Sequence, residues 1–222
     1  MPSDKLLDLL SMLPKPTLDT LYMTFVSTIL ASVLGFPLGT YLYSTSPAGL
    51  KPRKLVYNVF SRVVNLFRSL PFIILIILIF PLSRLIVRTS IGPTATIIPL
   101  SLAAAPFVAR IVESALSEVD QGVLVAARAM GSTSMQIIVK VLIPESLPSL
   151  ISGLSLTIIN LIGYSAMAGA VGGGGLGDLA IRYGYHRFRT DVTVASVIII
   201  LILVEIVQFA GTRISRKILA TR

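Results

Sequence analysis

The sequence predicts an all-α membrane protein of five spanning helices, and three observations lead there. Apolar residues make up 54% of the 222 positions and charged ones only 13%. With a mean hydropathy of +0.87, a soluble domain of this size has too little polar surface to cover itself. Uncharged runs recur along the chain at about the length of a membrane span, which is roughly 20 residues for a ~30 Å hydrocarbon core. Lys and Arg are unevenly shared between alternate connections, the asymmetry that sets membrane topology.

The first span is the uncharged run Leu21–Tyr43. It follows a mixed-charge segment and is too long for a signal-peptide core, so no cleaved leader is expected. Ser69–Ser83 is shorter, with 15 uncharged residues, or roughly 22 Å of helix. To cross, it must extend backwards through Val63–Phe67, leaving Arg68 at its inner edge, where a long side chain snorkels. Thr89–Ala109 and Ser146–Gly177 are uncharged spans, and Val192–Thr212 carries a single charge, Glu205. Three prolines in the third span predict a bent helix. Gly and Pro within the spans, such as Gly35, Pro37, Pro71, Gly153 and Gly163, fit either close bundle packing or a moving, pore-lining role.

Twelve Lys and Arg fall in the first and third connections and the C-terminal tail, against seven in the N-terminus and the other two connections. The excess marks the cytoplasmic side, so the N-terminus is expected outside and the C-terminus in the cytoplasm. One membrane domain over residues 1–222 is the simplest division. The net charge of +9 does not indicate nucleic acid, because the basic residues are dispersed among apolar runs. Absent cysteines exclude disulfides and thiolate metal sites, and the lone His186 excludes a histidine-rich cluster. No Walker lysine, nucleophile–base pair or zinc motif is present, so no catalytic residues are expected.

The longest cytoplasmic connection, residues 117–144, is the most informative. Val119, Val123, Ala126, Ala127 and Met130 form an apolar stripe at helical spacing, with Glu118, Gln121 and Arg128 opposite. Gly131 is placed to stop this helix in a left-handed conformation. Thr133 with Gln136 has the capping-box spacing that restarts a helix towards Pro144. Composition leaves two readings open, a compact knob of two short helices or an interfacial helix in the lipid headgroups.

Ala126-Ala127-Arg128-Ala129-Met130-Gly131, followed by Val141-Leu142-Ile143-Pro144, resembles the signature loop of permease subunits in bacterial ATP-binding-cassette (ABC) importers. Arg68-Ser69-Leu70-Pro71 is similar to an element of amino-acid importer permeases. Gly163-Tyr164-Ser165-Ala166-Met167-Ala168-Gly169-Ala170-Val171 with the following glycines, and Gln208-Phe209-Ala210-Gly211, resemble methionine-uptake permeases. The resemblance runs from about Thr20 to Arg216. It implies a type I ABC importer permease fold in the bacterial inner membrane and a homodimer. It also implies two copies of a cytoplasmic ATPase that bind ATP and Mg, an external substrate-binding lipoprotein, and no cofactor of the chain's own. The loop would then be the coupling segment, with Ala126, Ala127, Arg128, Met130, Gly131 and Pro144 at its centre. Val125 stands where the family usually has Glu, which puts the detailed contacts of that loop in doubt.

For the substrate path the fourth span offers Asn160, Tyr164, Ser165 and Met167 as polar or polarizable groups in an aliphatic run. Asn160, Tyr164 and Met167 share a helical face, and Met and Tyr make an adaptable passage for a thioether. Helix packing is the competing explanation. The alternative function is a secondary transporter or channel for a small amphipathic solute. Five spans do not divide into equal inverted repeats, and Glu205 alone offers a proton relay. A structural bond from Glu205 to a neighbouring helix is favoured over a functional role. Gly172, Gly174 and Gly177 imitate a dinucleotide fingerprint but follow a membrane helix. They are read instead as a flexible segment at an external gate or as a helix terminator.

Overall fold

The computed structural model describes the backbone of residues 2–220 and the side chains of residues 7–220. No strand occurs among them. The helices are α1 (Pro2–Met12), α2 (Pro14–Thr45), α3 (Lys54–Ser69), α4 (Phe72–Val87), α5 (Pro93–Ser117), α6 (Gln121–Ala129), α7 (Ser134–Ile137), α8 (Ile143–Gly169), α9 (Gly175–Leu179) and α10 (Thr190–Ala220). Wider π-helical turns occupy Ile138–Leu142 and Ala180–Tyr185. Four rods are long and apolar enough to cross a membrane. They contain α2, α5, α8 and α10, and the broken pair α3–α4 makes a fifth candidate.

The second span is corrected by that break. Val63–Phe67 belongs to α3, which stops at Ser69, and α4 begins afresh at Phe72. Proline disfavours the α conformation in the residue before it and lacks the N–H that would continue the ladder, so Leu70-Pro71 parts the two helices. α4 alone has 16 residues, about 24 Å. The third span runs further than its uncharged run, because α5 continues past Ala109 to Ser117, without a break at Pro99 or Pro106. The fourth ends at Gly169, before the glycine-rich segment begins.

The chain forms two compact units. The first comprises Met1–Ala31, Leu70–Ala104 and Ile158–Gln208. Leu13, Leu176, Leu179 and Val192 make a buried cluster there, flanked by Leu9, Met12 and Tyr183. The glycine-rich segment is wedged into this unit. Leu176 N–H donates to Thr20 Oγ1 at 2.9 Å, and Thr96 Oγ1 donates to the Gly173 carbonyl at 3.3 Å. A methyl group at Gly177 would collide with the Ala166 backbone. Instead of hanging loose, the segment is a packed turn that needs its glycines for close approach. Arg189 fastens α1 to the start of α10, donating to Asp8 at 2.5 Å and to Asp191 at 2.7 Å. These two carboxylates, Asp191 first, raise its pKa, so its charge is constant.

The second unit comprises Ser32–Ser69, Ala105–Thr157 and Phe209–Arg222. Leu42, Val64 and Ala109 form its apolar cluster, with Leu38 and Tyr57 against them. Beside it lies a polar lock. Arg110 donates to Glu113 at 2.6 Å, to the Ser61 carbonyl at 3.0 Å, to Ser61 Oγ at 2.5 Å and to Asn65 Oδ1 at 3.0 Å. Both terminal nitrogens of Arg110 are bonded, while its buried Nε has no partner; a paired charge is the form in which ions are tolerated in such surroundings. Removing one partner leaves the other uncompensated. Arg110→Ala is expected to cost about 3 kcal/mol of stability, read as a lowered melting temperature in detergent. Arg110→Ala/Glu113→Ala should recover part of that loss, and a double variant as damaged as the sum of the singles would contradict the pairing.

Candidate functional site: the capped loop and the exposed face of α8

The loop is built from its caps. Asp120 starts α6 by accepting the Gly122 N–H at 2.7 Å. At the other end, Gly131 N–H donates to the Arg128 carbonyl at 2.9 Å and Ser132 N–H to the Ala127 carbonyl at 3.2 Å. With Gly131 at φ +79°, this is a Schellman termination, satisfying carbonyls the helix leaves open. Thr133 then begins α7 with both halves of a capping box, Thr133 N–H to Gln136 Oε1 at 2.8 Å and Gln136 N–H to Thr133 Oγ1 at 3.3 Å.

Two details correct the expected knob. The buried side of α6 is Leu124 and Ala127, while Val123, Val125 and Met130 face out, Met130 with 78% exposure. The cap at Asp120 fixes the start of the helix and turns most of the expected stripe outwards. The second helix does not stop near Pro144 either. α7, the π turn and α8 form one continuous rod, Ser134–Gly169, of 36 residues. Proline clashes with the carbonyl four residues back. The π turn, closed by Ile143 N–H to the Ile138 carbonyl, widens the helix by one residue just before Pro144 and absorbs the conflict.

Of the expected coupling residues, Ala126, Arg128, Met130, Gly131 and Pro144 are exposed and Ala127 is buried. Exposed Met135 and Val139 extend the apolar surface beyond Gly131. Arg128 reaches the Leu50 carbonyl at 3.5 Å.

On α8, Asn160 and Met167 are exposed and Tyr164 is half-buried, stacked on Phe72 with centroids 4.5 Å apart and planes 6° from parallel. Ser165 lies on the buried side and donates to the Ile162 carbonyl at 2.7 Å. The structure thus brings Asn160, Tyr164 and Met167 to one face and leaves Ser165 off it. Arg68 stands 5.8 Å from the Phe107 ring, a cation–π contact. Glu205 is exposed on α10 without a hydrogen bond or ion pair among the described residues, so the expected bond to a neighbouring helix of the chain is absent. Sequence reading missed the Arg110–Glu113 lock because Arg110 ends the uncharged run. The i,i+3 spacing of opposite charges was the available signal. No group of three or more His, Asp or Glu able to hold a metal occurs among the described residues.

Long apolar helices joined by a loop that is capped at both ends and exposes apolar side chains define a polytopic helical membrane protein. Residues 33–219 match the family described as the binding-protein-dependent transport system inner membrane component. The chain belongs to this family and is an inner-membrane permease component of a bacterial ABC transporter. Within it, the similarity is to methionine permeases. The probable D-methionine transport system permease protein MetI of Vibrio cholerae is 46% identical over 202 residues, covering 91% of this chain and 90% of that protein. The methionine import system permease protein MetP of Bacillus subtilis is 49% identical, covering 91% of each. A crystal structure of the MetNI methionine ABC transporter in an inward-facing conformation superposes with a TM-score of 0.92 at 47% identity, over 94% of this chain and 97% of that one.

Left-handed backbone at a β-branched residue costs about 1–2 kcal/mol, and nothing else crowds Gly131, since an added methyl meets no atom within 4 Å. Gly131→Val should therefore unwind the Schellman turn, whereas Gly131→Asn should retain it. Protease sensitivity of the loop checks this, and equal behaviour of the two variants would exclude backbone conformation as the cause.

Proposed function

We propose that this chain is the membrane-spanning subunit of an ATP-driven methionine importer. It works as a homodimer whose shared interface forms the path, with two copies of a cytoplasmic ATPase and an external substrate-binding lipoprotein that delivers the amino acid. ATP and Mg bind the ATPase, and the permease contributes no catalytic group. In this arrangement the N-terminus is outside and the loop around Gly131 and the C-terminus are cytoplasmic, in agreement with the excess of Lys and Arg on that side.

The observation that carries the reading is the continuity of the exposed loop with α8. α6 and α7 offer Val125, Met130 and Met135 as an apolar docking surface. Closure of the ATPase pair moves that surface, and the rod beginning at Ser134 carries the movement past Asn160, Tyr164 and Met167. The substrate assignment is supported by the names of relatives at 46% and 49% identity and by the character of the α8 face. A half-buried Tyr stacked on Phe72 and an exposed Met suit a thioether side chain.

Vesicles containing the chain together with its ATPase should accumulate methionine on addition of ATP and lipoprotein, and vesicles lacking the ATPase should not. Uptake driven by an ion gradient without the ATPase would overturn the reading and favour a secondary transporter. Gly131→Val should lower uptake per ATP hydrolysed. Unchanged uptake and unchanged coupling would remove the loop from the mechanism.

A further inference from the structure

α3 packs beside the last turns of α2 and the second half of α5. Ser61, Val64, Asn65 and Arg68 meet α5 at Phe107, Ala109 and Arg110, partly through the long Arg68 and Arg110 side chains. Val64 meets Leu42, three residues from the end of α2, and Ala109 in the same cluster. α3 therefore sits at the end of α2 that leads into Lys51, Arg53 and Lys54, the level of a membrane surface where α2 crosses.

Its two exposed faces differ sharply. Leu55, Val59, Val63 and Leu66 fall on one side and are exposed, Leu55 at 80% and Leu66 at 63%. Lys51, Arg53 and Lys54, then Asn58, Arg62 and Asn65, are exposed polar groups of the same segment. No carboxylate occurs in the sequence between Asp19 and Glu113, so the segment carries none of its own, and the Glu113 carboxylate beside α3 is paired with Arg110. A helix with an open apolar stripe and a purely cationic flank has the composition of one seated at the headgroup boundary. Anionic headgroups attract such a flank.

We infer that α3 and the residues leading into it form a binding surface for anionic phospholipid. The stripe Leu55–Val59–Val63–Leu66 enters the acyl chains, and Lys51, Arg53, Lys54 and Arg62 hold the phosphates. A second copy of this chain is the poorer occupant, because two-fold pairing would oppose the same cations. The surface also adjoins the capped loop, since Arg128 bonds the carbonyl of Leu50 just ahead of Lys51. Lipid held there steadies the ground on which the loop stands. The inference requires that α2 and α5 cross the membrane and is independent of methionine as cargo.

The chain contains no cysteine, so single cysteines report one site each. Leu55→Cys, Leu66→Cys and Asn58→Cys are labelled with bimane in the chain co-purified with its ATPase and reconstituted into vesicles. Quenching by phospholipid brominated in the acyl chain should be strong at positions 55 and 66, and quenching by aqueous iodide strong at 58. Uniform quenching, or the reverse pattern, would overturn the seating. In mixed vesicles the label at position 66 should be quenched more by brominated phosphatidylglycerol than by brominated phosphatidylcholine. Lys54→Gln and Arg62→Gln should each reduce that preference roughly fivefold. Equal quenching by the two lipids in the otherwise unaltered chain would refute the headgroup assignment. Disulfide formation between copies through Leu66→Cys in the membrane would instead make this face an interface between copies.

Discussion

Pro144 has no backbone N–H and its ring clashes with the carbonyl four residues behind it, yet the helix passes through it. The π turn at Ile138–Leu142 resolves the conflict one turn earlier, and the proposed mechanism depends on that solution. Had the proline broken the helix, the loop would hang from the span on a hinge. With the ladder maintained, α7 and α8 form a 36-residue rod, about 54 Å long. The Schellman turn at Gly131 and the capping box at Thr133 then fix α6 to one end of it. The proposed docking surface and the proposed path residues then stand on one continuous element.

The polar chemistry of the chain serves this framework. Every backbone group in a bilayer must find its partner within the protein, and the buried side-chain bonds are spent mostly on local carbonyls, as at Thr28, Ser101 and Thr157. The Arg110–Glu113 lock is charged and reaches further, a bonded ion pair that fastens the α3 backbone to α5, beside neutral long-range bonds such as Ser27 to the Ile97 carbonyl and Ser215 to the Pro148 carbonyl. In the first unit the equivalent work falls to close glycine packing and to the Thr20 and Thr96 hydroxyls.

Much of this was legible from sequence, for identifiable physical reasons. Length and apolarity define the spans through α2, α5, α8 and α10, and the Thr133–Gln136 box and the stop at Gly131 follow from rules confined to a few residues. The missed features are those in which a local rule is overridden from outside the local window. Arg110 marks the end of an uncharged run, but α5 continues because Ser61 and Asn65, far away in sequence, receive the guanidinium. Val63–Phe67 reads as the start of a span by hydropathy, while Leu70-Pro71 separates it from α4. Pro144 reads as a stop, and the π turn that prevents this has no composition of its own. At the candidate site, helical periodicity placed Asn160, Tyr164 and Met167 on one face. The stacking of Tyr164 on Phe72 needed the fold.

The central claim is that the loop and the spanning helix move as one body. Spin labels at Met135→Cys and Leu154→Cys, in one protomer diluted among unlabelled copies and assembled with the ATPase, measure it by double electron–electron resonance. The account predicts the same distance distribution in the nucleotide-free and ATP-trapped states. A shift of several ångströms between those states would show a hinge at Pro144 and contradict it.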